Sequence, residues 1–367
     1  MARDILKSNN SLVFVGQKPA FTTGIGVNSQ SSACMSAVQS VAVGFSQPRQ
    51  KSKQIGSKGL AINDITRSPD VDLAIDYYYT PTMLNENMLG LINDQTGTAK
   101  SPFFSGYTNE DQNFFIANHP NQGVDMIQNN ELAFKSSLTN ISEVISIGNA
   151  FLTNYSLGFS IGSVPIVSTT YKCSNINIQT AHQGDPPSSS EYEIPAINLN
   201  SGNNNHAGEI KLTSASISGF GGYTAVNRLN PPLCSPTKVS STLQNLQIGG
   251  APISGDAHLQ SFSFNIPINR VDLFGIGSDY PYGRKVQYPL TSSVNVEFLV
   301  SGLATGEISN LITAESGYDF DVGIVDTGND FTHTFSFSDL KLESSAYQMN
   351  VNDQMTYSLS FSHEITN

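Results

Sequence analysis

The chain has 367 residues, room for two domains with a core each, and only 13% of them are charged. Its wealth of Gly, Ser, Asn and Thr suits β-structure with many turns and fits helical bundles poorly, since those draw on Ala, Glu, Lys and Leu. A net charge of −12 and a pI near 4.8 exclude a broadly basic surface for gripping nucleic acid.

The N-terminal stretch MARDILKSNNSLVF has no apolar signal-peptide core, and no run reaches the roughly eighteen apolar residues of a membrane span. The sequence therefore predicts neither Sec-dependent secretion nor membrane insertion. Cys34, Cys173 and Cys234 are widely spaced and form no CxxC pair, which predicts free, buried thiols in a reducing compartment. Residues 1–38 read as an N-terminal arm that could reach a neighbouring subunit. Their Gly24-x-Gly26 is a weak phosphate-loop signal without a strand and helix to frame it.

From Gln39 the strand pattern is clear. Val41, Val43 and Phe45 alternate with small residues, the period of a half-buried strand. Arg49, Lys51, Lys53 and Lys58 then form the densest positive cluster. It reads either as a solvated hairpin loop or as a contact for an acidic neighbour such as another copy of this protein. Val71 to Tyr79 alternates again, with Asp72 and Asp76 on the polar side. Thr80-Pro81 is a helix start, followed by Leu84, Met88 and Leu91 at helical spacing. Residues 95–140 read as loops with aromatic islands, among them Phe114-Phe115-Ile116. Strands are expected at 143–147 and 155–161, and a Pro/Ser/Asn/Gly-rich linker or excursion over 181–253.

The stretch 39–79 is written a second time, loosely, over 260–301. Without a gap, Gln39, Ser40, Arg49, Ile55, Gly56 and Ser57 meet Gln260, Ser261, Arg270, Ile276, Gly277 and Ser278. After a small shift VDLAIDYYY faces VNVEFLVS, and MLGLI at 88–92 faces ISNLI at 308–312. YSLGFS at 155–160 echoes YSLSFS at 357–362. These blocks keep their order and predict an internal duplication. The domains are then an arm at 1–38, a first unit at 39–180, the linker at 181–253 and a second unit at 254–367. Each unit sets a short amphipathic helix against a sheet, which buries both apolar faces.

Chemistry is sparse. The six histidines are scattered, with no HxH, HExxH or GxSxG pattern, so no enzyme activity and no cofactor are expected. Asp319-x-Asp321 with Asp326 and Asp330 is the best cation candidate, but Ile324 stands where an EF-hand needs glycine and Asp330 where it needs glutamate. No basic-aromatic face for single-stranded nucleic acid is present.

The segment 151–312 resembles the major tail tube proteins of long-tailed bacteriophages. The resemblance rests on NYSLGFSIGSVPIVSTTYKCSNI at 154–176, on QSFSFNIPINRVDLFGIGSDYPYGRKVQYPL at 260–290 with its Arg270, Gly277, Tyr282 and Arg284, and on the NLI that ends the second helix. The first copy keeps Arg49 and Gly56 but lacks the tyrosine–arginine unit. The resemblance implies a mainly β protein of two tandem β-sandwich or barrel domains, each with a short flanking helix. It further implies a virion tail protein, assembled in the host cytoplasm, whose strands join those of neighbours into stacked rings through which double-stranded DNA passes. A ring of three chains with six pseudo-equivalent positions is favoured over a six-chain ring. Other tail, neck and baseplate proteins are the further partners. The alternative is a virion adhesin or carbohydrate-binding β-sandwich, and a β-rich hydrolase comes third.

Overall fold

The computed structural model describes residues 11–16, 32–53, 55–56, 58–65, 69–79, 85–86, 89, 91, 112–118, 127–128, 131–132, 143–160, 163–180, 192–194, 210–212, 240–242, 247–248, 251–252, 257–276, 281–300, 318–325, 331–348 and 356–365. In chain order the first strands are β1 (Ser11–Gly16), β2 (Ser32–Cys34), β3 (Val38–Ser46), β4 (Arg49–Lys53), β5 (Leu60–Ile65), β6 (Asp70–Tyr78), β7 (Gln112–Asn118), β8 (Ile127–Gln128) and β9 (Glu131–Leu132). Next come β10 (Glu143–Ser160), β11 (Ile166–Cys173), β12 (Asn175–Thr180), β13 (Tyr192–Ile194), β14 (Ile210–Leu212), β15 (Ser240–Thr242), β16 (Gln247–Ile248) and β17 (Ala251–Pro252). The last are β18 (Ala257–Pro267), β19 (Arg270–Phe274), β20 (Pro281–Val286), β21 (Leu290–Val300), β22 (Tyr318–Val325), β23 (Phe331–Gln348) and β24 (Thr356–Ile365). The protein is mainly β and its sheets are antiparallel.

A 14-stranded sheet contains the path β15-β22-β23-β24-β21-β18-β10-β11-β6-β3, while β7 pairs both β10 and β1. The order β1-β7-β10-β11-β6-β3 in the first part of the chain therefore reappears as β15-β22-β23-β24-β21-β18 in the second. The register repeats as well. Val41 faces Ile75 as Phe262 faces Val296, and Val43 faces Leu73 as Phe264 faces Val294. The β4–β5 hairpin pairs Arg49 with Ile65, and the β19–β20 hairpin pairs Arg270 with Val286. Irregularities recur too. The register slips between Val38 and Ser40 and again between Leu259 and Ser261, and between Leu152 and Asn154 and again between Leu342 and Ser344. Asn149 and Asp339 are matching corners, both with positive φ (51° and 54°), a conformation that Asn and Asp tolerate better than most residues. A slip or a corner at one position would be local accident. The same set on equivalent strands is a structural repeat, offset by 221 residues at β3 and by 190 at β10.

Two alignments read from the sequence change. The small shift in the last strand is unnecessary: the gapless offset that carries Arg49 onto Arg270 also carries Leu73 onto Val294 and Ile75 onto Val296. The YSLGFS–YSLSFS echo joins strands that are not equivalent, because Tyr155 lies on β10 and Tyr357 on β24, whose counterpart is β11. Both segments are half-buried strands, so the same alternation arose in each. Residues 112–118 are a strand and not a loop. Asn113 to Asn118 are buried on both faces, so the run shows no alternation. Within 1–38, β1 pairs β7 and buries Val13, Phe14 and Val15; within 181–253, β15 pairs β22. Asp319 and Asp321 lie on β22, an extended strand; Asp326 and Asp330 fall outside the described residues.

The core runs through both repeats. Tyr155 and Phe159 of β10 meet Phe264 and Phe262 of β18, with ring centroids 5.9 and 5.1 Å apart, and Phe335 lies 5.3 Å from Phe264. Aromatic side chains bury the largest apolar areas, so this seam is among the best-filled parts of the interior. Of the two expected helices, the second and the start of the first fall outside the described residues. A helical turn holds Asn85 and Glu86, with Leu89 N–H donating to the Asn85 carbonyl at 2.8 Å. Asn85 fixes it by exchanging hydrogen bonds with the Ser36 backbone at 3.0 and 2.8 Å.

Glu86 is buried beneath this turn, with the Tyr155 hydroxyl 3.4 Å from its Oε1. Loss of hydration pushes its carboxyl up to about 7, although hydrogen bonding works the other way. Its folded-state value thus lies above the unfolded one, so the stability it contributes is complete in acid and is lost as the pH rises through 7. Glu86→Gln, which keeps the shape without the titration, is expected to gain on the wild type between pH 5 and pH 8, by an order of 3 kcal/mol at full effect. Urea unfolding at the two pH values measures it.

Candidate functional site

The chemistry-bearing feature is a surface and a seam. The eight strands β23-β24-β21-β18-β10-β11-β6-β3 form one continuous stretch of sheet. Its inner face supplies Val71, Leu73, Ile75, Leu157, Phe262, Phe264, Val294 and Phe361 to the core. Because side chains alternate across a strand, the other face follows directly from the register. One row across it reads Ser40–Asp76–Ser168–Ser156–Asn265–Ser293–Ser362. The next reads Ser344–Ser360–Asn295–Ser263–Gly158–Ile166–Tyr78. Apart from Ile166 and Tyr78, the outer face is thus dominated by short hydroxyl and amide side chains, with Asp70, Asp72, Asp76, Glu297 and Glu364 among them. Ser40 Oγ donates to Asp76 Oδ2 at 2.5 Å, and at the equivalent place Ser261 Oγ donates to Glu297 Oε2 at 3.0 Å. Among the described residues the cations of this face are Lys172 and Lys341, and each is ion-paired, with Asp272 at 3.2 Å and Asp339 at 2.9 Å.

The seam is where β18 pairs β10, Phe264 opposite Leu157 and Ile266 opposite Tyr155. Beside it the β19–β20 hairpin locks onto the first repeat. Arg270 Nε donates to the Leu152 carbonyl at 2.8 Å and its Nη1 to the Arg284 carbonyl at 3.2 Å. Arg284 is buried and reaches further. It donates to Asp272 at 2.8 Å and to the carbonyls of Lys172, Asn149 and Cys173 at 2.8, 3.2 and 3.3 Å. Both guanidiniums stand within 5.4 Å of the Phe151 ring centre. Partial burial pushes the Asp272 carboxyl up, but Arg284 and Lys172 outweigh it and hold it below the usual carboxylate value. The guanidinium suits this task because its planar fork serves several carbonyls at once.

The six positions singled out from the sequence divide accordingly. Arg270 and Arg284 are brought together at the seam. Arg49 opens β4 on an exposed edge, and Gly56 sits in the β4–β5 turn with φ +89°, a conformation only glycine adopts without strain. Tyr282 lies on β20, and Gly277 is outside the described residues. Sequence reasoning missed Asp272, Lys172 and Phe151, which complete the arginine network. Asp272 stands two residues after Arg270 on the same strand face, which was its signal, whereas Lys172 and Phe151 lie some 100 residues away and nothing local marks them. Ile55 and Ile276, at the tips of the two hairpins, are fully exposed at equivalent positions.

Among the described residues no group of three His, Cys, Asp or Glu could hold a metal ion. Cys34 and Cys173 are free and buried, and burial pushes the Cys34 thiol up to about 12, away from reactivity. No family model matches this chain, and neither does any curated protein.

Arg284→Met removes a charge that three carbonyls and a carboxylate depend on, and is expected to cost about 3–5 kcal/mol in urea unfolding at neutral pH. The folded-state value of Asp272 lies below its unfolded one, so its contribution is present near neutrality and is lost as the pH falls through the carboxylate range. That acid-side loss should be smaller in the variant, because the principal partner is gone.

Proposed function

We infer that this chain is a structural subunit of a phage tail tube, two tandem β-sandwich units whose sheets are completed by neighbouring chains into stacked rings. The observation that carries the reading is the eight-strand sheet: one face apolar and packed, the other hydroxyl-rich and acidic, its repeats already joined edge to edge. A sheet that ends in unpaired strands invites pairing with another chain, and closing a ring removes both ends at once. Head-to-tail contact of this kind closes by rotation and needs no self-complementary patch.

The polar face supplies the conduit. Duplex DNA carries about one negative charge per ~1.7 Å of its axis. A wall of Ser, Thr and Asn with interspersed carboxylates hydrates well and repels phosphate, so DNA slides past it without sticking. Two units per chain suit a ring of three chains. The exposed isoleucines at the hairpin tips give each ring apolar contacts for the next, and other tail, neck and baseplate proteins meet the two ends of the stack. Each chain then has two tips to offer, in keeping with the pseudo-sixfold arrangement.

Purified protein is expected to show hollow annuli or tubes by negative-stain electron microscopy; isolated particles at all concentrations would refute the reading. A second measurement addresses the wall. Asp76→Lys with Glu297→Lys is expected to make assembled tubes retain duplex DNA at low salt, releasing it as salt rises, whereas wild-type tubes retain little.

A further inference from the structure

We propose that a second copy of this chain docks on the β3 edge by repeating, between molecules, the joint that β18 makes with β10 inside one. This rests on the ring-forming reading above and adds the strands, the register and the ionic contacts.

β3 is the counterpart of β18, and the end of β23 is the counterpart of the end of β10. Inside the chain those two counterparts are paired, over Asn154–Ser160 and Ser261–Pro267. Among the described residues, β3 pairs only β6, and β23 beyond Ser344 pairs only β24. Transferring the internal register sets Phe45 opposite Ser345, Gly44 opposite Ala346 and Val43 opposite Tyr347 of the next chain.

Burial fits an unfinished joint. Phe262 and Phe264 are buried at the internal seam, whereas their counterparts Val41 and Val43 are half-buried. Phe45, the counterpart of buried Ile266, is 58% exposed. Ser344, Ala346 and Gln348 are exposed on the other side of the proposed contact. Burial of Phe45 and of two strand edges is what a second copy would bring.

Charge supplies the complement. At the internal joint Asp272 of the hairpin meets Lys172. Lys51 holds the place of Asp272, and Ser362 holds the place of Lys172, with Glu343 bound to the Ser362 hydroxyl at 2.5 Å. The ion pair is therefore inverted: a hairpin with exposed Arg49, Lys51 and Lys53, and Asp64 on its second strand, faces an end where Glu343 and Glu364 are exposed and Asp339 is paired with Lys341. Arg49, in the place of Arg270, would donate to the carbonyl of Leu342, the counterpart of Leu152. Asn63 stands where Arg284 does, so the outer joint lacks the buried arginine and is held by accessible charges.

The test mixes two single variants of the full chain, Phe45→Cys and Ser345→Cys, under a mild oxidant that takes two electrons and two protons from each thiol pair. Directly opposed antiparallel residues lie within disulfide reach. A covalent dimer is expected in the mixture, several-fold above either variant alone and above the off-register mixture of Phe45→Cys with Gln348→Cys. Gly44→Cys with Ala346→Cys is the second register pair, used if the first perturbs the edge. Annuli by electron microscopy without the registered dimer would overturn this joint and leave the ring reading standing. Neither annuli nor dimer would overturn both. As an independent check, Lys51→Glu and Glu343→Lys should each suppress assembly and together restore it; failure of the pair to restore it would overturn the inverted ion pair.

Discussion

A strand edge must be paired or protected, and most of this architecture answers to that demand. An unpaired edge exposes a ladder of N–H and C=O groups that another chain can read. Inside the molecule the demand is met at the seam between β10 and β18, where backbone ladder, aromatic core and arginine network coincide. Each of these alone would be replaceable. Together they fix the two repeats in one register, because the side chains of Phe262, Phe264 and Ile266 would all turn outward if the pairing slipped by a residue.

The second organising feature is the division of labour across the sheet. Large apolar side chains are concentrated on one face and short polar ones on the other over eight strands, Ile166 and Tyr78 being exceptions, and the two lysines of the polar face, Lys172 and Lys341, are each ion-paired. Acidic groups stand among the short polar ones, and two of them, Asp76 and Glu297, accept hydrogen bonds from Ser40 and Ser261. The basic residues concentrate instead on the β4–β5 hairpin.

Much of this could be read from the chain. The alternation of Val41, Val43 and Phe45 and the Arg49/Arg270 and Gly56/Gly277 correspondences located one repeated block, since strand patterning and turn glycines are local properties. Phe114 to Ala117 were not legible as a strand, because burial on both faces erases the alternation that marks one. Nor was the equivalence of β10 with β23. Those strands share a corner and a bulge, which are backbone features, while their sequences differ at nearly every position that the register aligns. The partners of Arg284 lie far away in sequence, at Asn149, Lys172 and Cys173, and only the folded topology brings them together.

The internal seam also has a kinetic meaning. Because the two repeats share one polypeptide, their joint closes by a unimolecular step at the high effective concentration a tether provides, whatever the amount of protein present. Any joint between separate molecules is bimolecular and slows on dilution. In the ring proposed above, two repeats per chain would halve the number of encounters needed to complete a given circumference. Duplication also makes the smallest unit that diffuses a pre-paired couple and not a lone sheet with two sticky margins.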